Sequence, residues 1–136
     1  MNVSVPPIRI LVVDDEERFR ANLCRLLGAR GLTARSCASG EEALAILENE
    51  AFDVVLMDLR MPGMDGTATL EQMRQRGCRA EVIVLTAHAS VDLAGQCLKY
   101  GACDYLLKPC PTDELLERVG RAYERKLERE GKPAAD

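Results

Sequence analysis

The chain alternates short apolar runs with segments of helical periodicity five times, and this rhythm constrains its fold more than any other feature. A strand followed by a helix, repeated along the chain, is typical of a parallel sheet with helices packed on both faces. The predicted strands are residues 8–13, 32–37, 52–57, 82–85 and 105–107. We therefore expect an α/β domain.

The intervening helices are predicted from apolar spacing and from residues that start or stop helices. The first is expected from about Glu16 to Arg30, with Gly31 as its stop. The predicted caps of the later helices are Ser39 (a capping box with Glu42), Asp65, Ser90 and Thr112. The helix residues expected to face the core are Phe19, Leu23, Leu26, Leu27, Ala43, Leu44, Ile46, Leu47, Leu70, Met73, Leu93, Cys97, Leu98, Leu116, Val119, Tyr123 and Leu127. The densely charged end of the last helix, residues 124–130, is expected to be a solvated extension, with a docking or dimerising role as the alternative.

Length and composition favour one globular domain. A chain of 136 residues suits a single domain that buries roughly two-thirds of its unfolded surface. Hydrophobic residues make up 47% and charged residues 29%, which argues against disorder. We expect the domain to span residues 8–127, between an N-terminal extension of residues 1–7 and a charged tail of residues 128–136.

Charge and cysteine usage exclude several classes of function. The net charge of −4 arises from interspersed acids and bases, so no basic face for nucleic acid is expected. The longest apolar run is too short to span a membrane, and the chain start lacks the features of a signal peptide, which favours a cytoplasmic protein. The six cysteines form no Cys-x-x-Cys pair, and the single histidine, His88, has no ligand partner at helical spacing, which argues against zinc.

Polar side chains stand where four of the predicted strands end. The first strand is followed by Asp14 and Asp15, the third by Asp58, the fourth by Thr86 and the fifth by Lys108. Because ligands of open parallel sheets bind at the carboxyl ends of the strands, we expect these side chains to line one pocket.

This combination of side chains suits phosphoryl transfer. If the strand order is 2-1-3-4-5, the first and third strands are neighbours, and the three acids lie close together. Clustered carboxylates are costly unless a cation neutralises them, and Mg²⁺ prefers such oxygen ligands, with Mn²⁺ as the alternative ion. The Lys108 ammonium and the Thr86 hydroxyl suit two phosphoryl oxygens, and the metal suits the third. Asp58 is left as the nucleophile that forms an acyl phosphate.

Four motifs make the chain resemble a response-regulator receiver domain over residues 8–127. They are residues 11–16 (Leu-Val-Val-Asp-Asp-Glu), 58–66 (Asp-Leu-Arg-Met-Pro-Gly-Met-Asp-Gly), 85–87 (Leu-Thr-Ala) and 101–109 (Gly-Ala-Cys-Asp-Tyr-Leu-Leu-Lys-Pro). The resemblance implies a flavodoxin-like, doubly wound, five-stranded parallel sheet of order 2-1-3-4-5 with five helices on both faces. It also implies a cis bond between Lys108 and Pro109.

The resemblance further implies the roles of the site residues and the partners. Asp58 would accept a phosphoryl group from a histidine kinase or a histidine phosphotransfer protein, and would bind Mg²⁺ together with Asp15 and the backbone carbonyl of Arg60. Asp14 would act largely through water. The residues implied as the switch are Thr86 and Tyr105, and those at positions that tune the phosphoryl lifetime are Arg60 and His88. The face formed by the fourth helix, the fifth strand and the fifth helix would then control an effector protein or an output domain, and a phosphorylation-dependent homodimer is left open.

Two other functions fit the sequence less well. An aspartyl-phosphate hydrolase of the haloacid-dehalogenase type needs an Asp-x-Asp arrangement after its first strand, whereas Asp14 and Asp15 are adjacent. A flavodoxin-like carrier needs a Gly, Ser or Thr phosphate cradle in the first turn and an aromatic side chain to stack a flavin. Here the first turn is acidic and the chain has no Trp. We therefore expect a signalling phosphoacceptor that catalyses only its own phosphorylation and dephosphorylation.

Overall fold

The computed structural model describes residues 7–61, 63–87 and 91–131, with the backbone alone for residues 91–94. Within this part of the chain, strands and helices alternate as β1 (Arg9–Val13), α1 (Glu17–Ala29), β2 (Thr33–Cys37), α2 (Gly40–Asn49), β3 (Val54–Met57), α3 (Gly66–Gln75), β4 (Glu81–Thr86), α4 (Val91–Lys99), β5 (Asp104–Leu107) and α5 (Thr112–Arg129). The strands form a five-stranded sheet of order β2-β1-β3-β4-β5, and every neighbouring pair is parallel. The predicted fold class and strand order are confirmed.

The central strands are buried on both faces, and their side chains alternate between two hydrophobic clusters. Residues such as Leu11, Val55 and Val84 pack against α2, α3 and α4 on one face. Their strand neighbours, such as Val12 and Leu56, pack against α1 and α5 on the other. Helices on both faces leave the two ends of the sheet as the places where polar groups can gather.

Most of the predicted helix boundaries lie within one or two residues of the observed ones. The hydroxyl of Ser39 accepts a hydrogen bond from the Glu42 amide at 3.1 Å, as the predicted capping box requires. The carboxylate of Glu42 reaches back to the amide of Ala38 at 2.7 Å, one residue earlier than in the usual box. Asp65 caps α3 by accepting from the Ala68 amide at 2.9 Å.

Two predictions at α4 and α5 are wrong. Leu98 was expected to face the core but is 54% exposed, because α4 packs against the sheet through the adjacent, buried Cys97. Thr112 was expected to cap α5 but is its first helical residue, and the preceding Pro111 makes no side-chain capping bond. The predicted cap Ser90 and the side chain of Leu93 lie outside the described residues.

The buried stripe of α5 is rotated relative to the prediction. Leu116 and Tyr123 were expected in the core, yet both are only partly buried. The fully buried positions around Val119 are Leu115 and Ala122, each one residue earlier in the sequence. Apolar residues at adjacent positions leave the phase of a helix open by one residue, and packing on the sheet decides it.

The charged end of α5 is attached to the sheet, in contrast to the expected solvated extension. The Lys126 ammonium lies 3.3 Å from the carboxylate of Asp53 and 3.1 Å from that of Glu130. One turn further, the Arg129 guanidinium lies 3.1 Å from Glu81, a buried carboxylate at the start of β4. These ion pairs connect the helix end to the amino ends of β3 and β4. No helix in the described ranges is long and apolar enough to cross a bilayer.

Candidate functional site

The ends of β1 and β3 bring the predicted acids together. Val13 and Met57 are paired across the two strands, and the Asp58 amide donates to the Val13 carbonyl at 3.0 Å. The pairing therefore continues into the first residue after β3, which fixes the backbone of Asp58 beside that of Asp14. One carboxylate oxygen from each of Asp14, Asp15 and Asp58 lies within 4.8 Å of the others. The predicted convergence of these acids is confirmed as geometry.

Asp14 is the most constrained of the three acids. It is 2% exposed, and its Oδ1 accepts a hydrogen bond from the Glu16 amide at 2.9 Å. Its Oδ2 accepts from the Lys108 ammonium at 2.5 Å, and its carbonyl accepts from the Arg20 guanidinium at 2.7 Å. With both carboxylate oxygens bonded to the protein, Asp14 has little freedom to reorient toward a ligand.

Asp58 and Asp15 are more open than Asp14. Asp58 is 8% exposed, and its Oδ1 accepts from the Arg60 amide at a long 3.3 Å. Its Oδ2 lies 3.3 Å from the Lys108 ammonium. Asp15 is exposed to solvent. The side chain of Asp58 is thus positioned by two long contacts, which leaves its oxygens available for chemistry.

Lys108 connects the far side of the sheet to the acids. Its amide donates to the Thr86 carbonyl at 2.8 Å, and the bond between Lys108 and Pro109 is cis, as predicted. Burial disfavours the charged ammonium, but the hydrogen bond and charge of Asp14, and then those of Asp58, outweigh this effect and raise the pKa of Lys108. The side chain therefore carries its full positive charge at neutral pH.

The remaining predicted residues are placed as follows. Thr86 is fully buried at the end of β4. Tyr105 is half-buried on β5 and packs against the cluster under α2, α3 and α4. Arg60 is exposed, and its amide donates to Oδ1 of Asp58; the expected metal contact of its carbonyl stays a prediction. His88 lies outside the described residues.

Two residues of the site were not predicted as such. The Lys108 ammonium lies 3.9 Å from the centre of the Phe19 ring, whereas the sequence pattern predicts only that Phe19 faces the core from α1. Gly66 lies so close to the acceptor loop that an added Cβ would be 2.7 Å from the Cα of Leu59 and 2.8 Å from the carbonyl oxygen of Asp58. The position of Phe19, one turn after the acidic pair, was the available signal in the sequence.

The acid cluster fits a hard divalent cation. Three carboxylates outnumber the ammonium that contacts two of them, so the cluster carries excess negative charge. Mg²⁺ binds proteins through one or two carboxylates and keeps several waters, and a partly solvated cluster with one exposed acid suits that preference. Asp15 and Asp58 are the acids with oxygens open to such an ion.

The fold and the site together define a doubly wound α/β domain. Three acids that could hold a cation lie where its strand order reverses, between β1 and β3. Residues 10–120 match the family model described as the response regulator receiver domain. The chain therefore belongs to the response-regulator receiver domain family of two-component signalling systems, whose members are signalling phosphoacceptors. This membership favours a signalling phosphoacceptor over the hydrolase and flavin-carrier alternatives.

Individual relatives agree with the family assignment. The DNA-binding transcriptional regulator NtrC of Salmonella typhimurium is 45% identical over 113 residues, which cover 83% of this chain and 24% of the relative. The regulatory protein AtoC of Escherichia coli is 42% identical over 116 residues, which cover 85% of this chain and 25% of the relative. A crystal structure of a CheY-like receiver domain protein from Methanospirillum hungatei superimposes with a TM-score of 0.85 at 30% identity, covering 90% of this chain and 98% of that one. The chain thus spans about a quarter of the length of these two curated relatives.

Proposed function

We propose that Asp58 is the phosphoacceptor of this receiver domain and takes its phosphoryl group from a histidine kinase or a histidine phosphotransfer protein. The observation that carries the proposal is the convergence of Asp14, Asp15 and Lys108 around the Asp58 carboxylate. An Asp58 oxygen attacks phosphorus and forms a P–O bond. The P–N bond to the donor histidine breaks, and the departing imidazole nitrogen keeps the electron pair and takes up a proton.

The neighbouring charges have separate parts in this transfer. The acyl phosphate carries a charge of about −1.5 to −2 in place of the single charge of the Asp58 carboxylate, in a cluster that already holds excess negative charge. The Lys108 ammonium, 3.3 Å from Asp58, is placed to neutralise one phosphoryl oxygen. Asp15, Asp58 and the Arg60 carbonyl would hold Mg²⁺ or Mn²⁺, and Asp14 would act through water. When bound, the ion supplies the rest of the neutralising charge.

The switch is assigned to Thr86 and Tyr105 and the output to the face formed by α4, β5 and α5. Thr86 ends β4 next to the end of β5, which Lys108 directly follows, so its hydroxyl can turn toward a phosphoryl oxygen. Tyr105, on β5, would take up the space that this movement leaves. Leu98 on α4 and Leu107 on β5 are 54% and 47% exposed, and large exposed apolar side chains suit a surface that meets a partner.

The partner is an effector protein or an output domain. Two relatives are named as a DNA-binding transcriptional regulator and a regulatory protein, and the matched segment is about a quarter of each. This similarity supports control of a longer regulator's output. The acidic receiver itself does not suit direct contact with nucleic acid. A homodimer formed on phosphorylation is a further use of the same face.

The test is labelling by acetyl phosphate, which replaces the donor histidine with a small molecule. The wild-type protein should gain the mass of one phosphoryl group when Mg²⁺ is present and should gain none in EDTA. Asp58→Asn should abolish the gain. The matched control is Asp113→Asn, which removes an exposed carboxylate from the first turn of α5 and should label normally. Labelling of Asp58→Asn at the wild-type rate would refute the assignment.

A further inference from the structure

We infer that Phe19 is a positioning residue that holds the Lys108 ammonium over the acceptor site through a cation–π contact. The inference rests on the proposed function, because it assigns to Lys108 the neutralisation of the phosphoryl group. The ammonium lies 3.9 Å from the ring centre of Phe19 while it contacts Asp14 at 2.5 Å and Asp58 at 3.3 Å. The distance to the ring is well inside the limit of about 6 Å for an attractive contact with the face of an aromatic ring.

The ring occupies a place where it can control the ammonium. Phe19 lines a narrow gap together with Asp14 and Asp58, so it lies directly beside the acids. Phe19 also lines a cavity of about 180 Å³ between α1 and α5, together with Lys108 and Leu115. A lysine side chain carries a point charge on a flexible stem, and this cavity gives the stem room to leave the acids. The negative face of the ring opposes that departure.

The alternative is that Phe19 merely fills space, since it is half-buried and packs against the cluster under α1 and α5. A space-filling role depends on the shape of the side chain. A cation–π role depends on the electrons of the ring. Fluorine atoms on the ring weaken its negative face while they leave its shape nearly unchanged, so a fluorination series separates the two roles.

The experiment replaces Phe19 with mono-, di- and trifluorinated phenylalanine and, separately, with leucine (Phe19→Leu). The chain offers a matched control, because its only other phenylalanine, Phe52, lies under the Arg9 guanidinium at 4.8 Å and lines no part of the acid cluster. The initial rate of labelling by acetyl phosphate with Mg²⁺ should fall stepwise with fluorine number at Phe19, by about 3- to 10-fold at three fluorines. The same series at Phe52 should leave the rate unchanged.

A second readout needs neither metal nor phosphorylation. Protons on the Lys108 carbon next to the ammonium should show an upfield NMR shift from the ring, and this shift should shrink along the Phe19 series and vanish in Phe19→Leu. A flat labelling rate across the fluorinated series, with a slow Phe19→Leu, overturns the inference in favour of packing. Absence of the upfield shift in the wild type also overturns it. If the wild type shows the shift but is never labelled, the proposed function fails while the contact stands.

Discussion

Asp58→Asn should stabilise the metal-free protein, because the acid cluster contains more negative charge than its contacts neutralise. Asparagine keeps the shape of the side chain and removes one charge. It also loses one of the two acceptor oxygens that serve Lys108 and Arg60. The matched variant is Asp14→Asn, which loses the same charge and likewise loses one of the oxygens that serve Lys108 and Glu16.

The distances give the size of the effect. At an effective dielectric constant of about 20, two like charges 4.8 Å apart repel by about 3.5 kcal/mol, and Asp58 has two acidic neighbours with an oxygen within that distance. The 3.3 Å contact with Lys108 contributes about 5 kcal/mol of attraction on the same scale. After the lost hydrogen bond is counted, the free energy of unfolding of Asp58→Asn should exceed that of the wild type by about 1 kcal/mol, which corresponds to a Tm higher by roughly 3–5 °C. Asp14 lies closer to the Lys108 ammonium, at 2.5 Å, and loses more attraction on substitution. The free energy of unfolding of Asp14→Asn should therefore be about 1.5 kcal/mol lower than that of Asp58→Asn.

The assay is urea unfolding in EDTA, repeated with Mg²⁺ in excess. In EDTA the free energy of unfolding should be highest for Asp58→Asn and lower for both the wild type and Asp14→Asn. A ligand at about 100 times its Kd stabilises the folded state by about 2.7 kcal/mol, and Asp58→Asn should lose most of this gain. The order of the wild type and Asp58→Asn should therefore reverse when Mg²⁺ is added. If Asp58→Asn is less stable than the wild type in EDTA, the cluster is not overcharged and the reasoning fails.

Three further results are expected. Gly66→Ala should lower the free energy of unfolding in urea by about 1–3 kcal/mol and slow labelling, because its Cβ would lie 2.7 Å from the backbone of the acceptor loop. Gly120→Ala has open space at its Cβ and should be neutral or stabilising, so equal effects of the two variants would refute the steric argument. Burial raises the pKa of the Cys37 and Cys103 thiols to about 11, so between about pH 9 and 11 the unfolded chain releases protons that the folded chain keeps, and the free energy of unfolding should fall as the pH rises. Replacing both cysteines with alanine should flatten this fall, measured as the urea midpoint against pH, and an unchanged slope would contradict the argument. Lys126→Met removes two ion pairs and should therefore speed amide hydrogen exchange in the last turn of α5, while labelling by acetyl phosphate stays at the wild-type rate. Unchanged exchange would mean that these ion pairs do not stabilise the turn.

The sheet and the ends of its strands could be predicted from the sequence because both follow from local patterns. A buried strand is visible as an apolar run, and the residue that follows the run is the one at the carboxyl edge. Asp58 and Lys108 were placed in this way, and the structure joins them at 3.3 Å. No knowledge of side-chain packing was needed for that step, since parallel strands bring their ends to the same edge.

Predictions failed where packing between distant elements decides the outcome. Leu115 and Leu116 are equally apolar, so the sequence pattern does not show which one faces the sheet. The contact between Phe19 and Lys108 depends on where a flexible lysine stem settles among groups from three elements. The ion pair between Lys126 and Asp53 likewise joins two charged residues that are far apart in the sequence, and nothing in the local sequence pattern indicates that they meet.

The position of Lys108 suggests how charge at the acceptor site reaches other elements. Its ammonium contacts acids that follow β1 and β3 and lies over the ring of Phe19 on α1, and its backbone is bonded to Thr86 at the end of β4. A phosphoryl group on Asp58 would compete with Asp14 for the ammonium and thereby weaken the shortest of these contacts. Any movement of the ammonium is opposed by the ring and transmitted to β5, the strand that carries Tyr105. A receiver with a fluorinated Phe19 ring should therefore be phosphorylated more slowly, while its acids and their affinity for the metal stay unchanged.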